Sequence, residues 1–341
     1  MARRTSRTLP TALAVAALVA TRSTAAHAST TPMTSRTVGT LWTSDATDSG
    51  DGQSHLVGID PSTGKESARI GVGVEAEPWS IALTRDGRTA YVANFHNGTL
   101  GVVDTSAKKM TTAVPLGIDA DYVTLSGDQK HAYVTSMVAQ KLAIVDTATK
   151  QVVRTVTLPG PAEGAVVSAD GKTVYIGVYS RKDVVALDAR TGAQQAVFSA
   201  GAPFARRVRL SHDGKQLYAT DYYGGAVDVY NTSKPAQAPK KVAVGGRPLD
   251  LVLSPDGRTL YASDTGSGVA AVDTRTLKAR QFVVTPSFGD LAVSKDGKSV
   301  YLAQYQSTGS VSALATGSGR VTGTLGHGLA YPNGLALGPT S

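Results

Sequence analysis

One phrase recurs along this chain and limits what it can fold into. Pro255-Asp256-Gly257-Arg258-Thr259-Leu260-Tyr261 is a tight turn followed by the start of a strand. Proline presets φ for the turn, aspartate can hydrogen-bond its own backbone ahead, and glycine accepts positive φ. Related phrases end at Tyr91, Tyr133, Tyr175, Tyr218 and Tyr301, so the six tyrosines stand 42, 42, 43, 43 and 40 residues apart. A seventh copy, Thr40-Leu41-Trp42, lacks the strand that should precede its turn. That strand reappears at the far end of the chain. Tyr331-Pro332-Asn333-Gly334-Leu335-Ala336-Leu337 matches Glu77-Pro78-Trp79-Ser80-Ile81-Ala82-Leu83.

Each repeat holds four short strands. The third ends in an aspartate turn, as in Leu142-Ala143-Ile144-Val145-Asp146 and Val269-Ala270-Ala271-Val272-Asp273. It is apolar almost throughout, as a strand covered on both faces should be. Four antiparallel strands at a period near 42 are the mark of a propeller blade. A helical solenoid would need 3.6-residue stripes, which are absent, and an open array would need polar caps at its ends. Here the two ends complete one another instead. The expected fold is an all-β, seven-bladed β-propeller of four-stranded antiparallel blades over residues 37–341, its ring closed by strands from both termini.

The first residues read differently. Arg3, Arg4 and Arg7 precede the apolar run Leu13–Ala20, and Ala26-His27-Ala28 is an A-x-A cleavage site. Residues 1–28 are therefore expected to be a secretory signal peptide, residues 29–36 a short mature segment, and the protein secreted to the extracellular side. Arg3-Arg4 lacks the apolar residue that should follow a twin-arginine pair, so the export route stays open. Loss of Arg3, Arg4, Arg7 and Arg22, with no acid among them, takes the net charge from +8 to about +4. The remaining basic residues are scattered, which argues against nucleic acid as a partner. With 0 cysteines, disulfides, zinc–thiolate sites, iron–sulfur clusters and thiol nucleophiles are excluded. No later stretch is apolar for long enough to span a membrane. A monomer is expected.

Tyr91-Val92-Ala93-Asn94 and Tyr133-Val134-Thr135-Ser136, each after a Gly/Asp turn, resemble the YVTN-type β-propeller repeat family. The Pro255–Tyr261 and Val272-Asp273-Thr274-Arg275-Thr276 phrases resemble the same family, and the likeness runs over nearly the whole mature chain. It implies the propeller fold. Relatives it implies include cell-surface repeat proteins, and similar seven-bladed propellers include lactonases, lactonising enzymes and electron-transfer subunits of dehydrogenases.

Function is to be sought where the repeats stop agreeing. Asp-Gly turns and Asp-Thr hairpins vary little and share one face. The residues just before each first strand differ in every blade: Trp79/Ser80, Asp121/Tyr122, Glu163/Gly164, Arg206/Arg207, Leu249/Asp250, Gly289/Asp290 and Asn333/Gly334. They belong at the mouth of the central channel, on the opposite face, where loops on a rigid scaffold carry function. Expected ligand-binding residues are Trp79, Asp121, Tyr122, Glu163, Arg206, Arg207, Arg247, Asp250, Asp290, Asn333 and Tyr222. Loops on the same face add Phe95, His96, Tyr179-Ser180-Arg181, Tyr223, Asp221, Asp264 and Tyr305.

Glu163, Arg207 and His96 are the candidate catalytic set. A carboxylate beside arginines can do acid–base work while guanidinium holds an oxyanion. A solvated, mutually salt-bridged mouth is the plainer reading of the same residues. No cofactor is implied, and two histidines without a third ligand make no transition-metal site. Asp45-Ala46-Thr47-Asp48-Ser49-Gly50-Asp51-Gly52 is oxygen-rich enough for Ca²⁺ but departs from the EF-hand pattern. The main expectation is a scaffold that binds a small molecule, a peptide or a cell-surface polymer at the channel face. The alternatives are a lactonase- or isomerase-type enzyme and a structural cell-surface module.

Overall fold

The computed structural model describes residues 39–46, 51–179, 183–198, 204–266, 268–284 and 289–339. The expected leader at 1–28, the segment at 29–36, residues 47–50 of the acidic insertion and Ser180-Arg181 lie outside the described residues. There are seven sheets of four antiparallel strands. In blades 2 to 7 the four strands are consecutive in the chain. Blade 1 is completed from both ends: the last strand, Leu335–Leu337, pairs with the first, Leu41–Asp45, in the register Leu41↔Leu337, Trp42↔Ala336 and Thr43↔Leu335.

The innermost strands pack against one another in cyclic order. They are Leu335–Leu337, Pro78–Leu83, Tyr122–Leu125, Ala162–Val167, Ala205–Leu210, Pro248–Leu253 and Leu291–Val293, and the last returns to the first. Seven apolar clusters separate the blades, and each draws its side chains from two neighbours. The repeat tyrosine fills the interface with the following blade; Tyr133, for example, packs among Ala162, Ala165 and Val174, and its hydroxyl donates to Ala189 O at 3.3 Å. Third strands such as Leu142–Val145 are buried on both faces, whereas outer strands such as Gln151–Thr157 are largely exposed.

The repeating turn is built more tightly than its Asp-Gly pair alone requires. A serine or threonine two residues before the aspartate (Thr84, Ser126, Ser168, Ser211, Ser254, Ser294) donates to that carboxylate at 2.6–2.7 Å. The same hydroxyl accepts the N–H that opens the next strand at 2.9–3.0 Å. Gly257 then takes the positive φ of 69° that closes the turn. Threonines of the Asp-Thr hairpins reach back to these turns, as Thr274 Oγ1 does to Gly257 O at 2.9 Å, so both turn types share one face. Among the described residues no helix is long and apolar enough to cross a membrane.

Closure rests on a short seam. Thr43 Oγ1 donates to Gly334 O at 3.0 Å, Asn333 N to Ser44 Oγ at 2.9 Å, and Ala330 N to Asp45 Oδ1 at 3.1 Å. Ending the chain after Ala330 removes the strand that blade 1 borrows and bares an inner sheet edge. The melting temperature is expected to fall by more than about 10 °C, since each kcal/mol is worth only a few degrees at this size. Leu335→Asp with Leu337→Asp is the milder form of the same test. Unchanged melting in both proteins would show that the ring does not depend on this seam.

Candidate functional site

The innermost strands lose their pairing at the N-terminal end. Register skips from Pro78 to Ser80, from Ala162 to Ala165, from Ala205 to Val208 and from Pro248 to Leu251. The residues released are Trp79, Glu163 and Gly164, Arg206 and Arg207, and Leu249 and Asp250. Such irregularities re-aim side chains, and here they do so at the channel mouth. Their backbone groups still need partners. Hydroxyls two residues after the blade tyrosine or tryptophan supply them: Thr220 Oγ1 accepts Arg207 N at 3.0 Å, Ser263 Oγ accepts Asp250 N at 3.0 Å, and Thr135 Oγ1 donates to Glu163 O at 2.8 Å. Gly164 lets two strands meet. A Cβ there would stand 2.6 Å from Arg206 O and 2.7 Å from Arg207 Cα.

That close approach seats Glu163 against two guanidinium groups. Its carboxylate pairs with Arg206 Nε and lies 2.8 Å from Arg207 Nη1. Arg207 is only 3% exposed. It also lies 3.4 Å from Asp290 Oδ1 and 3.8 Å from Asp250 Oδ1, with the Tyr122 ring 4.6 Å from its Cζ. Asp250 is shared further: Oδ1 meets Arg209 Nη2 at 3.1 Å, and Oδ2 accepts Leu291 N at 2.9 Å. Asp121, from blade 3, is fully buried; Oδ2 accepts Met137 N at 2.8 Å, and Oδ1 has no hydrogen-bond partner among the described residues.

These acids do not share one protonation state. Burial pushes Glu163 up, but Arg206 and Arg207 outweigh it and hold the carboxyl below the ordinary glutamate value. Asp290 is raised by burial, and next by the Asp250 carboxylate, to about 7 in spite of Arg207 and Arg209. Asp121 is raised by burial to about 7, against the Met137 N–H and with Glu163 adding to the rise. Arg207 loses solvation on burial, yet Glu163, Asp290 and Asp250 more than compensate and keep it charged.

A cleft of about 110 Å³ opens over this cluster, lined by Trp79, Arg206, Arg207, Leu249, Gly289, Asp290, Tyr305 and Asn333. All but Tyr305 come from positions where the blades differ. The cleft is open on one side, so a ligand seated in it can project beyond the volume it encloses. Trp79 stacks on Phe95 at 4.4 Å and 14°. Glu163, Asp121, Tyr122 and Asp250 are buried and are not among the cleft-lining residues.

Arg247 and Tyr222 are loop residues whose groups meet at 5.8 Å from guanidinium carbon to ring centre. His96 is exposed on a turn of blade 2, where its backbone N donates to Ala76 O at 3.2 Å. Asp221 and Asp264 are buried loop caps: Asp221 accepts Gly224 N at 2.8 Å and pairs with Lys241, and Asp264 accepts Gly266 N at 3.2 Å. At the acidic insertion, Asp45 pairs with Arg69 at 2.7 Å and Asp51 with His55 at 3.0 Å. No group of three metal-ligating side chains stands together among the described residues.

Arg209 and the hydroxyls of Thr135, Thr220 and Ser263 were not among the expected site residues. Strand period 2 already puts Arg209 on the same face as Arg207.

No protein-family model matches the chain, and no curated protein does. Many solved structures are similar in fold, among them two that match over most of the chain. One is Kuenenia stuttgartiensis hydrazine synthase, at 20% identity over 78% of this chain and 89% of that one, with a TM-score of 0.65. The other is a functionally unknown protein from Desulfotomaculum acetoxidans DSM 771, at 17% identity over 88% and 99%, with a TM-score of 0.74. At these identities the likeness shows the seven-bladed fold and nothing of the chemistry.

The raised carboxyls make stability depend on pH with a definite sign. Between the ordinary aspartate value of 3.8 and about 7, the unfolded chain has lost protons that Asp121 and Asp290 keep in the fold. Stability is therefore highest at the acid end of that window and falls as pH rises through it, on the order of a few kcal/mol for each group. Below 3.8 the turn aspartates, held low first by their serine or threonine hydroxyls, act in the opposite sense. Denaturant unfolding from pH 4 to 8 should show the decline, and Asp121→Asn with Asp290→Asn should make it markedly shallower, leaving the part below about pH 6 that Asp228, raised by burial to about 6, contributes. A wild-type curve already flat over that range would refute the assignment.

Proposed function

We propose that the cleft binds a small carbonyl compound or carboxylic acid and catalyses proton transfer on it, as a lactone hydrolase or isomerase does. The observation that carries this reading is the convergence of Asp290 and Arg207. A carboxyl and a buried guanidinium stand 3.4 Å apart on the lining of a partly apolar cleft. Acid–base catalysis works best when the group titrates near the working pH, and Asp290 rises to about 7. Glu163, held ionised by two arginines, is poorly suited to that role; its part is to position Arg206 and Arg207.

On a lactone the reaction is a base-assisted hydrolysis. Asp290 takes a proton from water as the hydroxyl oxygen attacks the ring carbonyl. The tetrahedral oxyanion is held by Arg206 and Arg207, which are preorganised for it. Collapse breaks the ring C–O bond, and the proton returns from Asp290 to the leaving alkoxide. Trp79, Leu249 and Tyr305 pack against the carbon skeleton and Asn333 hydrogen-bonds its oxygens. Export through residues 1–28, a propeller domain at 37–341 and membership in the YVTN-type group, on the Tyr133–Ser136 phrase, complete the proposal.

A panel of five- and six-membered lactones, followed by acid release from pH 5 to 9, tests it. Wild-type kcat/KM should rise through about pH 7 and level off, because the basic form of Asp290 is the active one. Asp290→Asn should lower kcat by about a hundredfold or more and remove that limb. Glu163→Gln should raise KM while keeping the limb. Absence of turnover across the panel would favour a binding scaffold, and an unchanged pH profile in Asp290→Asn would discard the proposed base.

A further inference from the structure

Beside the cleft, loops of blades 4, 5 and 6 build an aromatic shelf. Tyr179, Phe204, Tyr223 and Tyr222 meet edge to face in sequence, at 4.3, 4.3 and 4.9 Å between ring centres. Arg247 lies over both Tyr222 and Tyr223, at 5.8 and 5.7 Å. Arg206 lies 5.6 Å from Tyr222 and also lines the cleft, so cleft and shelf are continuous through one side chain. Tyr223 is 52% exposed. Arg206 is neutralised by Glu163, whereas no carboxylate pairs with the exposed side chain of Arg247 among the described residues.

We infer that this shelf is a second binding subsite, which takes the next unit of an acidic oligosaccharide whose first unit sits in the cleft. Three features point to that chemistry. An uncompensated guanidinium seated over tyrosines keeps its planar donor fork free for a carboxylate. Tyrosine offers a flat apolar face for the C–H face of a pyranose and a hydroxyl for its oxygens. The rings meet edge to face, so no parallel pair is left to sandwich an aromatic acid, while a sugar needs only one ring face. The cleft alone, at about 110 Å³, is too small for two sugar rings. The inference rests on the cleft being a ligand site and not on catalysis within it.

Calorimetric titration with galacturonate and digalacturonate, and with the uncharged pair glucose and maltose, tests it, since binding is read without turnover. Digalacturonate should bind at least about tenfold tighter than galacturonate, a difference of about 1.4 kcal/mol, and maltose should show no such gain over glucose. Arg247→Ala should bring the ratio of the two uronates close to one, and Arg247→Lys, which keeps the charge, should restore part of it. Equal binding of monomer and dimer, an equal gain for maltose, a ratio unchanged in Arg247→Ala, or no binding of either uronate would overturn the inference. Lactone turnover without a dimer gain removes the shelf and leaves the catalytic reading standing. A dimer gain without any turnover does the reverse.

Discussion

No blade in this chain owns a core. Each of the seven apolar clusters lies between two sheets, so a single blade, or an open row of them, would leave an apolar face in water. That constraint explains why the ends of the chain meet. If Leu335–Leu337 were not hydrogen-bonded to Leu41–Asp45, the cluster shared by blades 7 and 1 would lose Leu335 and the inner edge of blade 1 would stand open. Everything at the channel mouth depends on the closed ring, because the residues that meet there come from different blades.

Closure also brings the innermost strands together at the mouth. Seven innermost strands crowd about one axis, and four of them leave register with their neighbours where they enter it. A strand that leaves register exposes backbone groups in a place with little water. The threonine and serine hydroxyls of the second strands take them up, as Thr220 and Ser263 do. The released side chains are then free to differ from blade to blade without cost to the ring. Arg207 can sit in blade 5, Glu163 in blade 4 and Asp290 in blade 7, and still meet.

The architecture was legible because it is written in backbone chemistry. Asp-Gly turns, blade tyrosines and a split seventh copy are local signals repeated often enough to count. The mouth was legible only as a set of positions. Trp79, Arg206, Arg207, Asp290 and Asn333 do line the cleft, which follows from their place in the repeat. Which acid would be ionised was not legible. Glu163 and Asp290 occupy comparable positions, and only the folded distances decide that two arginines fall on the first while a second carboxylate crowds the other. Asp221 and Asp264 look like site residues in the sequence because they stand on the right loops. In the fold they are spent on holding the N–H groups of the loops that follow them.

The charge balance links the architecture to the chemistry proposed for it. Glu163, Asp250, Asp290 and Asp121 gather around Arg206, Arg207 and Arg209, four acids to three bases. Full ionisation would leave a net negative charge where burial makes any uncompensated charge expensive. A single proton, which Asp290 and Asp121 are both raised enough to hold near neutrality, balances the three guanidinium groups. Asp121 is fully buried and does not line the cleft, so a proton there serves the fold. Asp290 does line it, beside a guanidinium that cannot give up its own proton. The proton that makes the closed ring tolerable is therefore the one that a ligand in the cleft can reach.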